Sequence, residues 1–143
     1  MLNYLSMPSK VGLIQAAKYT VVGCSGIFVS MGVLIILKEY LGFLLPLASI
    51  FAIELSILNN FVWNERWTFS KPKHPRLNSW KNRLVLFQLV ALIGAVINFT
   101  MLNVLALYFG IDYRIANLIG IGIAFGWNYT LNKNVTWKDT YEV

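Results

Sequence analysis

The chain has 143 residues, of which 57% are hydrophobic and 13% are charged, and its formal net charge is +6. So apolar a composition excludes an ordinary soluble domain. Cys24 is the only cysteine, which excludes a disulfide framework within one chain. The basic residues are spread over short segments between apolar stretches, and this argues against a nucleic-acid partner.

Four apolar stretches predict four transmembrane helices, at about residues 19–37, 43–63, 84–109 and 115–131. Each has about the 17–20 residues that are needed to cross ~30 Å of hydrocarbon. Ten of the twelve lysines and arginines lie before the first stretch, between the second and third, or after the fourth. Because cytoplasmic segments of membrane proteins are the more basic ones, both termini and the central loop are predicted to be cytoplasmic.

The two pairs of stretches are copies of each other. Residues 18–69 align without a gap on residues 86–137, with eleven identities where about four are expected by chance for this composition. The identical pairs are Val22/Val90, Gly26/Gly94, Leu34/Leu102, Leu37/Leu105, Tyr40/Tyr108, Gly42/Gly110, Ala48/Ala116, Ile53/Ile121, Asn60/Asn128, Asn64/Asn132 and Thr68/Thr136. Both copies enter the membrane from the same side, which is the parallel kind of repeat that transporters also use.

The sequence therefore predicts an all-α membrane protein with four transmembrane helices, built from two tandem parallel two-helix repeats in a single domain of residues 1–143. The equivalent positions of Gly26 and Gly94 further predict that the first and third helices approach their neighbours closely there. The two halves are expected to superpose by a rotation of about 180° around the membrane normal.

Glu54 lies near the middle of the second stretch, and no formal charge in any apolar span offsets it. An acid at this depth costs about 2.5–3.5 kcal/mol on translocon scales, so it is expected to contact protein or a wet cavity. Two interpretations stay open. Glu54 is either a neutral acid that is hydrogen-bonded between helices, or a proton-coupling or polar step on a transport path.

Asparagines recur at i, i+4 spacing in both copies, as Asn60 and Asn64 in the first and Asn128 and Asn132 in the second. Amides in hydrocarbon must find hydrogen-bond partners, because burying them unpaired is costly. A polar binding site and simple capping of the helix bundle are equally open for these four residues.

The two copies end in similar segments. The first ends NFVWNERWTF over residues 60–69, and the second ends NYTLNKNVTW over residues 128–137. A cation beside amides can hold a lipid phosphate, and aromatic rings can cover a sugar or a prenyl chain. A plain interfacial anchor needs the same aromatic and basic residues. The candidate residues for binding a lipid phosphate or sugar are Lys18, Asn60, Asn64, Arg66, Trp67, Asn128, Asn132 and Lys133.

The central loop, residues 64–83, follows the first of these segments. Its second half is expected to lie along the membrane interface, with Trp80 at headgroup depth and Lys81 and Arg83 pointing to water.

Together with the sequence YTVVG at residues 19–23, these segments resemble the GtrA-like family of small four-helix membrane proteins, over residues 18–137. The resemblance implies a role in moving polyprenyl-phosphate-linked monosaccharides across the membrane for decoration of cell-surface polysaccharide. Related helices occur fused to polyprenyl-phosphate mannose synthase-like enzymes. One departure is that Glu65, and not a basic residue, follows Asn64, so that Arg66 comes one place later, whereas the second copy keeps Lys133.

The residues contain no acid pair, metal cluster, nucleophile with a base or nucleotide-binding loop, so neither an enzyme nor a cofactor is expected. The first expectation is a flippase for a polyprenyl-phosphate-linked monosaccharide. The alternatives are a non-transporting membrane subunit that recruits a polyprenyl-phosphate glycosyltransferase, and a small proton-coupled exporter.

The expected partners are the lipid-linked sugar, membrane lipids and a glycosyltransferase. A homo-oligomer is also expected, because Glu54 and the glycine-bearing helix faces offer more interface than four helices use internally. The expected location is the cytoplasmic membrane of a prokaryote.

Overall fold

The protein is seen in a computed structural model that describes residues 10–70 and 75–138. Its long helices are α1 (Lys10–Ile35), α2 (Leu45–Trp63), α3 (Trp80–Asn103) and α4 (Tyr113–Leu131). No strand forms in the described ranges, so the prediction of an all-α protein is confirmed.

Three of these helices, taken with their terminal turns, are long and apolar enough to cross a membrane: Gly12–Tyr40, Leu45–Thr68 and Trp80–Tyr108. The fourth, α4, has 19 residues and contains Asn117 and Asn128, which lower its hydropathy. Most large apolar side chains on the four helices are exposed, as they are in proteins whose outer surface contacts lipid. The helices are thus built for a membrane, although α4 is not among the three apolar candidate spans of the described residues.

The helix starts differ somewhat from the apolar stretches. α1 begins at Lys10, well before the first stretch, because a helix can extend beyond its apolar part. α3 begins at Trp80 because Ser79 caps it, with its hydroxyl accepting a hydrogen bond from the Asn82 N–H at 3.3 Å. Such a cap typically stabilises a helix start by about 1 kcal/mol.

Each long helix ends in a wider π turn of five residues: Ile36–Tyr40, Asn64–Thr68, Val104–Tyr108 and Asn132–Thr136. In a π turn the N–H bonds to the carbonyl five residues earlier. The Phe69 N–H donates to Asn64 O at 2.8 Å, and the Trp137 N–H donates to Asn132 O at 2.9 Å. These turns therefore fix where the residue that follows each of them is placed.

The turns between α1 and α2 and between α3 and α4 have the same geometry. Gly42 and Gly110 have φ values of +70° and +66°, a region in which a side chain is strained. The Phe43 N–H donates to Leu37 O at 2.9 Å, and the Ile111 N–H makes the equivalent bond to the carbonyl six residues before it. A Schellman motif also combines a positive-φ residue with a bond back to the helix, but its bond is one residue shorter than the six-residue bond seen here after a π turn.

The chain divides into two compact units, Met1–Lys71 and Pro72–Val143. In the first unit α1 packs on α2, and in the second α3 packs on α4. The division falls between the two copies of the repeat. Few apolar side chains are buried: Tyr19, Val22, Ala48, Ala52, Phe61 and Phe69 in the first unit, and Phe87, Val90, Ala116, Ala124 and Trp137 in the second.

Candidate functional site

Two glycines mark the close approach of the helices within each unit. A Cβ built on Gly26 would lie 2.5 Å from Asn60 Oδ1 and 2.8 Å from Ser56 Oγ. A Cβ built on Gly94 would collide with the Asn128 side chain. The predicted close approach at both glycines is therefore confirmed, and the paired asparagines Asn60 and Asn128 lie on the helix–helix contact.

Around Gly26 the first unit has several side-chain hydrogen bonds. The Ser56 hydroxyl donates to Gly26 O at 2.8 Å. The Asn59 amide donates to Ser25 Oγ at 3.1 Å and to Asn60 Oδ1 at 3.4 Å. Asn60 is thus part of the α1–α2 contact, where its amide oxygen has a donor. Such a contact is what simple capping of the helix bundle requires, and a binding role for Asn60 stays a prediction.

Buried aromatic pairs join the end of each copy to its start. Tyr19 and Phe69 pack edge to face with ring centroids 6.3 Å apart, and Phe87 and Trp137 do so at 5.6 Å. All four rings are buried. Phe69 and Trp137 therefore do not lie free at the interface to cover a sugar, as the aromatic-rich segments suggested. Packing on the first helix of their own unit, which hydropathy cannot register, holds them instead.

Asn64 and Asn132 lie beneath the surface at the π turns, 2% and 1% exposed. In the second unit the Thr136 hydroxyl donates to Asn132 Oδ1 at 2.8 Å. In the first unit neither Asn64 Oδ1 nor Thr68 Oγ1 has a hydrogen-bond partner among the described residues. Equivalent residues are thus used differently in the two copies.

A basic and aromatic surface forms where the first unit ends. The Lys18 ammonium lies 5.3 Å from the centroid of the Trp67 ring and 3.5 Å from Trp67 O. Trp67 is 40% exposed, and Arg66, next to it in sequence, is exposed as well. We call Lys18, Arg66 and Trp67 the first-unit rim. A cation over an indole ring is attractive, and both cations can donate hydrogen bonds to an anion.

The second unit has no equivalent rim, because the counterparts of these three residues are Leu86, Asn134 and Val135. The second unit does have an exposed cation in the equivalent segment, Lys133, which is the counterpart of Glu65. The structure thus brings Lys18 and Trp67 together in one unit and places Lys133 in the other.

Within the second unit, the segment around the start of α3 packs on the π turn that follows α4 and on the residues just after it. The Asn78 amide donates to Val135 O at 2.7 Å, and the Leu77 N–H donates to Lys138 O at 3.0 Å. The Arg83 guanidinium donates to Asn78 O, and Arg83 is 8% exposed. The expectation that Arg83 points to water is therefore wrong, because a backbone carbonyl holds its charge inside the unit. The Val135 carbonyl lies at the end of a helix, where it has no intrahelical partner, and the Asn78 amide supplies its donor.

With this geometry in hand, comparison with known proteins decides the family. Residues 18–137 match the family model described as GtrA/DPMS, transmembrane domain. The chain belongs to this family. A dolichol-phosphate mannosyltransferase from Pyrococcus furiosus is 48% identical over 123 residues, which are 86% of this chain and 34% of that protein. The chain thus spans about a third of the length of the curated relative it matches.

Membership of the GtrA/DPMS transmembrane domain family confirms the resemblance drawn from the sequence. Together with the apolar helices, it makes the chain an integral membrane protein. The boundaries of the match coincide with those of the two repeats, from Lys18 to Trp137.

Glu54 is exposed on α2, two residues after Ala52, which is buried in the contact with α1. A separation of two residues turns a side chain by about 200° on a helix, so Glu54 lies on the opposite side from that contact. Its counterpart Gly122 is also exposed. The acid is thus placed away from the α1–α2 interface, among apolar side chains such as Ile50 and Ile53.

Thr68 and Thr136 are the site residues that the sequence analysis did not single out. Both are buried, and each directly precedes in sequence the aromatic residue that ends its copy, Phe69 or Trp137. The two threonines are equivalent positions with the same residue in the repeat alignment. That identity was the available signal. Which of them donates to its asparagine could not be read from it, because the two copies have the same residues at both positions.

Proposed function

We propose that the chain is a flippase that moves a polyprenyl-phosphate-linked monosaccharide from the cytoplasmic to the outer leaflet, for glycosylation of cell-surface polysaccharide. Membership of the GtrA/DPMS transmembrane domain family supports a role connected with such lipids. The name of the Pyrococcus furiosus relative, a dolichol-phosphate mannosyltransferase, supports the same lipid class. The observation that carries the proposal is the first-unit rim, in which Lys18 lies over the exposed Trp67 beside Arg66.

In this proposal the rim receives the phosphate. The Lys18 ammonium and the Arg66 guanidinium donate charge-assisted hydrogen bonds to phosphate oxygens, which are about twice as strong as neutral ones. Arg66 is suited to this because its planar fork matches phosphate geometry. The half-exposed Trp67 ring supplies an apolar surface for the sugar ring or the first isoprene units.

In this proposal the other candidate residues hold the helix ends that carry the binding side chains. Asn60 and Asn64 fix the end of α2 on which Arg66 and Trp67 are carried, and Asn128 and Asn132 do the same for Lys133 in the second unit. The chain performs no covalent step in this proposal. It shelters a charged head from hydrocarbon, while the prenyl tail stays in the lipid that the exposed apolar faces contact.

A second candidate function is a non-transporting membrane subunit for a polyprenyl-phosphate glycosyltransferase. The observation in its favour is that the matched region is only 34% of a relative named as a mannosyltransferase. In that case the rim would hold the lipid at the membrane surface for a partner enzyme. Association of several copies of the chain stays a prediction under either function.

The two functions separate in one experiment. The full chain is reconstituted into vesicles that carry dolichyl-phosphate mannose in the inner leaflet, and the appearance of mannose outside is followed with a water-soluble lectin. We expect appearance well above the rate of protein-free vesicles. A folded protein that leaves the rate at the protein-free level, and that captures a glycosyltransferase from native membranes, overturns the flippase in favour of the subunit.

A further inference from the structure

The second unit contains three buried polar side-chain atoms that have no hydrogen-bond partner among the described residues. They are Asn98 Oδ1, Trp127 Nε1 and Asn128 Oδ1. Asn98 packs against Gly120, and Asn128 packs against Gly94, so both amides lie on the contact between α3 and α4. Leaving a buried donor or acceptor unpaired costs about 1–3 kcal/mol, which makes three in one helix pair notable.

Among the described residues, the unpartnered buried side-chain atoms of the first unit, Asn64 Oδ1 and Thr68 Oγ1, lie at the π turn and not within the helix pair. The counterparts of Trp127 and Asn128 are Asn59 and Asn60, and the Asn59 amide donates to Asn60 Oδ1 and to Ser25 Oγ. Ser56 also bonds to α1, and its counterpart is Ala124. The second unit thus has polar groups at these positions without the side chains that bond to their counterparts in the first unit.

The chemistry of the three groups favours a ligand with hydroxyls. Two amide oxygens need donors, and the indole N–H needs an acceptor, and a hydroxyl group both donates and accepts. No charged residue occurs in residues 84–103 or 115–131, so nothing there would neutralise a phosphate. An indole ring beside amides also offers a face for the C–H side of a sugar ring.

Asn98, Trp127 and Asn128 are each half-buried as residues, although the three atoms themselves are covered. Gly120 and Gly94 pack so closely on the two asparagines that a Cβ at either glycine would collide with the amide. Binding through these groups therefore requires the side chains to turn toward the surface of the α3/α4 pair.

We propose that the α3/α4 pair binds the hydroxyl groups of the sugar head through Asn98, Trp127 and Asn128. The proposal rests on the proposed flippase function and adds to it which of the two repeats contacts the sugar.

The test measures the affinity of the full chain in lipid nanodiscs for dolichyl-phosphate mannose and for dolichyl phosphate of the same length. The variants are Trp127→Phe, which removes the indole N–H and leaves a smaller aromatic ring, and Asn98→Ser, which installs the residue of the first repeat at that position. The control is Asn103→Ser on the same helix, because the Asn103 amide already donates to Phe99 O at 2.8 Å.

Each site variant is expected to bind the mannose lipid about tenfold more weakly and the bare lipid phosphate as well as the wild type does. The control is expected to bind both lipids unchanged. Trp127→Phe keeps an aromatic ring in place, so the prediction stays testable even where an asparagine variant folds poorly.

Equal losses for both lipids in folded variants would mean a packing role and would overturn the sugar site. A wild type that binds the two lipids equally would also overturn it, while leaving the phosphate-binding rim and the flippase intact. A wild type that binds neither lipid would overturn the proposed function and this inference with it.

Discussion

The two units share a backbone plan and differ in where their buried polar groups find partners. Within the helix pair, the first unit hydrogen-bonds Asn59 to Asn60, whereas in the second unit the equivalent Trp127 Nε1 and Asn128 Oδ1 have no partner among the described residues. At the π turns the second unit, and not the first, has the hydrogen bond. Thr136 donates to its asparagine, and Thr68 Oγ1 has no partner among the described residues.

The features common to both units are those that helix packing requires. Gly26 and Gly94 allow the close approach of the two helices in each unit, and each aromatic pair packs the last residue of a copy on the first helix of that copy. The features that differ are the cations of the rim and the partners of the buried amides, since Asn60/Asn128 and Asn64/Asn132 are themselves identical. The two copies of the hairpin thus share their packing while their polar contacts differ.

The largest effects should come from the shared packing. Gly26→Ala and Gly94→Ala each place a methyl group against an asparagine side chain, and overpacking of this kind costs about 1–3 kcal/mol of unfolding free energy. Gly23→Ala on α1 is the matched control, because nothing lies within 4 Å of a Cβ there. Thermal unfolding in detergent measures all three, and two site variants as stable as Gly23→Ala would contradict the close approach.

Loss of a rim cation should come next. Arg66→Ala is expected to weaken binding of a polyprenyl-phosphate sugar by about ten- to hundredfold, since a charge-assisted contact is worth about 1.5–3 kcal/mol. Lys133→Ala in the second unit should also weaken binding, and by less, because Lys133 has no counterpart of the Lys18–Trp67 pair beside it.

Lys81→Ala is the control for the rim variants, because Lys81 is an exposed cation at the start of α3. It separates a specific contact from a general loss of positive charge. Unchanged affinity in a folded Arg66→Ala/Lys133→Ala protein would remove both cations from the site.

The two threonines offer a smaller effect with an internal control. Thr136→Val removes the hydroxyl that donates to Asn132 Oδ1, and we expect it to lower the unfolding free energy by about 1–2 kcal/mol. Thr68→Val removes a hydroxyl that has no partner among the described residues, so it should be close to neutral. Denaturant titration of both variants decides this, and equal losses would mean that the two π turns are not energetically different.

Glu54→Gln should have the smallest effect on folding, because Glu54 is exposed and glutamine keeps its shape. Yield and oligomeric state should match the wild type, yet surface glycosylation in cells should fall if the acid titrates on a transport path. Full surface glycosylation by the folded variant would remove Glu54 from the transport mechanism. Normal glycosylation is also what a subunit without transport activity predicts.

Much of the fold could be predicted from the sequence, since hydropathy and the 68-residue repeat depend on residue types alone. The four helices, the two repeats and the close approach at Gly26 and Gly94 all follow from them. The same alignment pointed to the positive-φ glycines Gly42 and Gly110, which are identical in both copies and close equivalent turns.

The rest depends on three-dimensional neighbours that no local pattern reports. The π turns are not marked by composition, and they decide that Phe69 and Trp137 fall inside their units. The burial of Arg83 depends on the carbonyl of Asn78, and that arrangement is set by the chain path before α3. The pairing of Lys18 with Trp67 joins residues 49 positions apart, so spacing along one helix could not predict it.

The central claim is that the first-unit rim carries the phosphate of a lipid-linked sugar across the membrane. The most direct measurement is the initial rate at which dolichyl-phosphate mannose crosses vesicles containing the wild type, Lys18→Ala/Arg66→Ala or Lys81→Ala, at equal amounts of folded protein. We predict that the rim variant falls to about a tenth of the wild-type rate or below, with Lys81→Ala unchanged. A rim variant that transports the lipid at the wild-type rate would contradict the account.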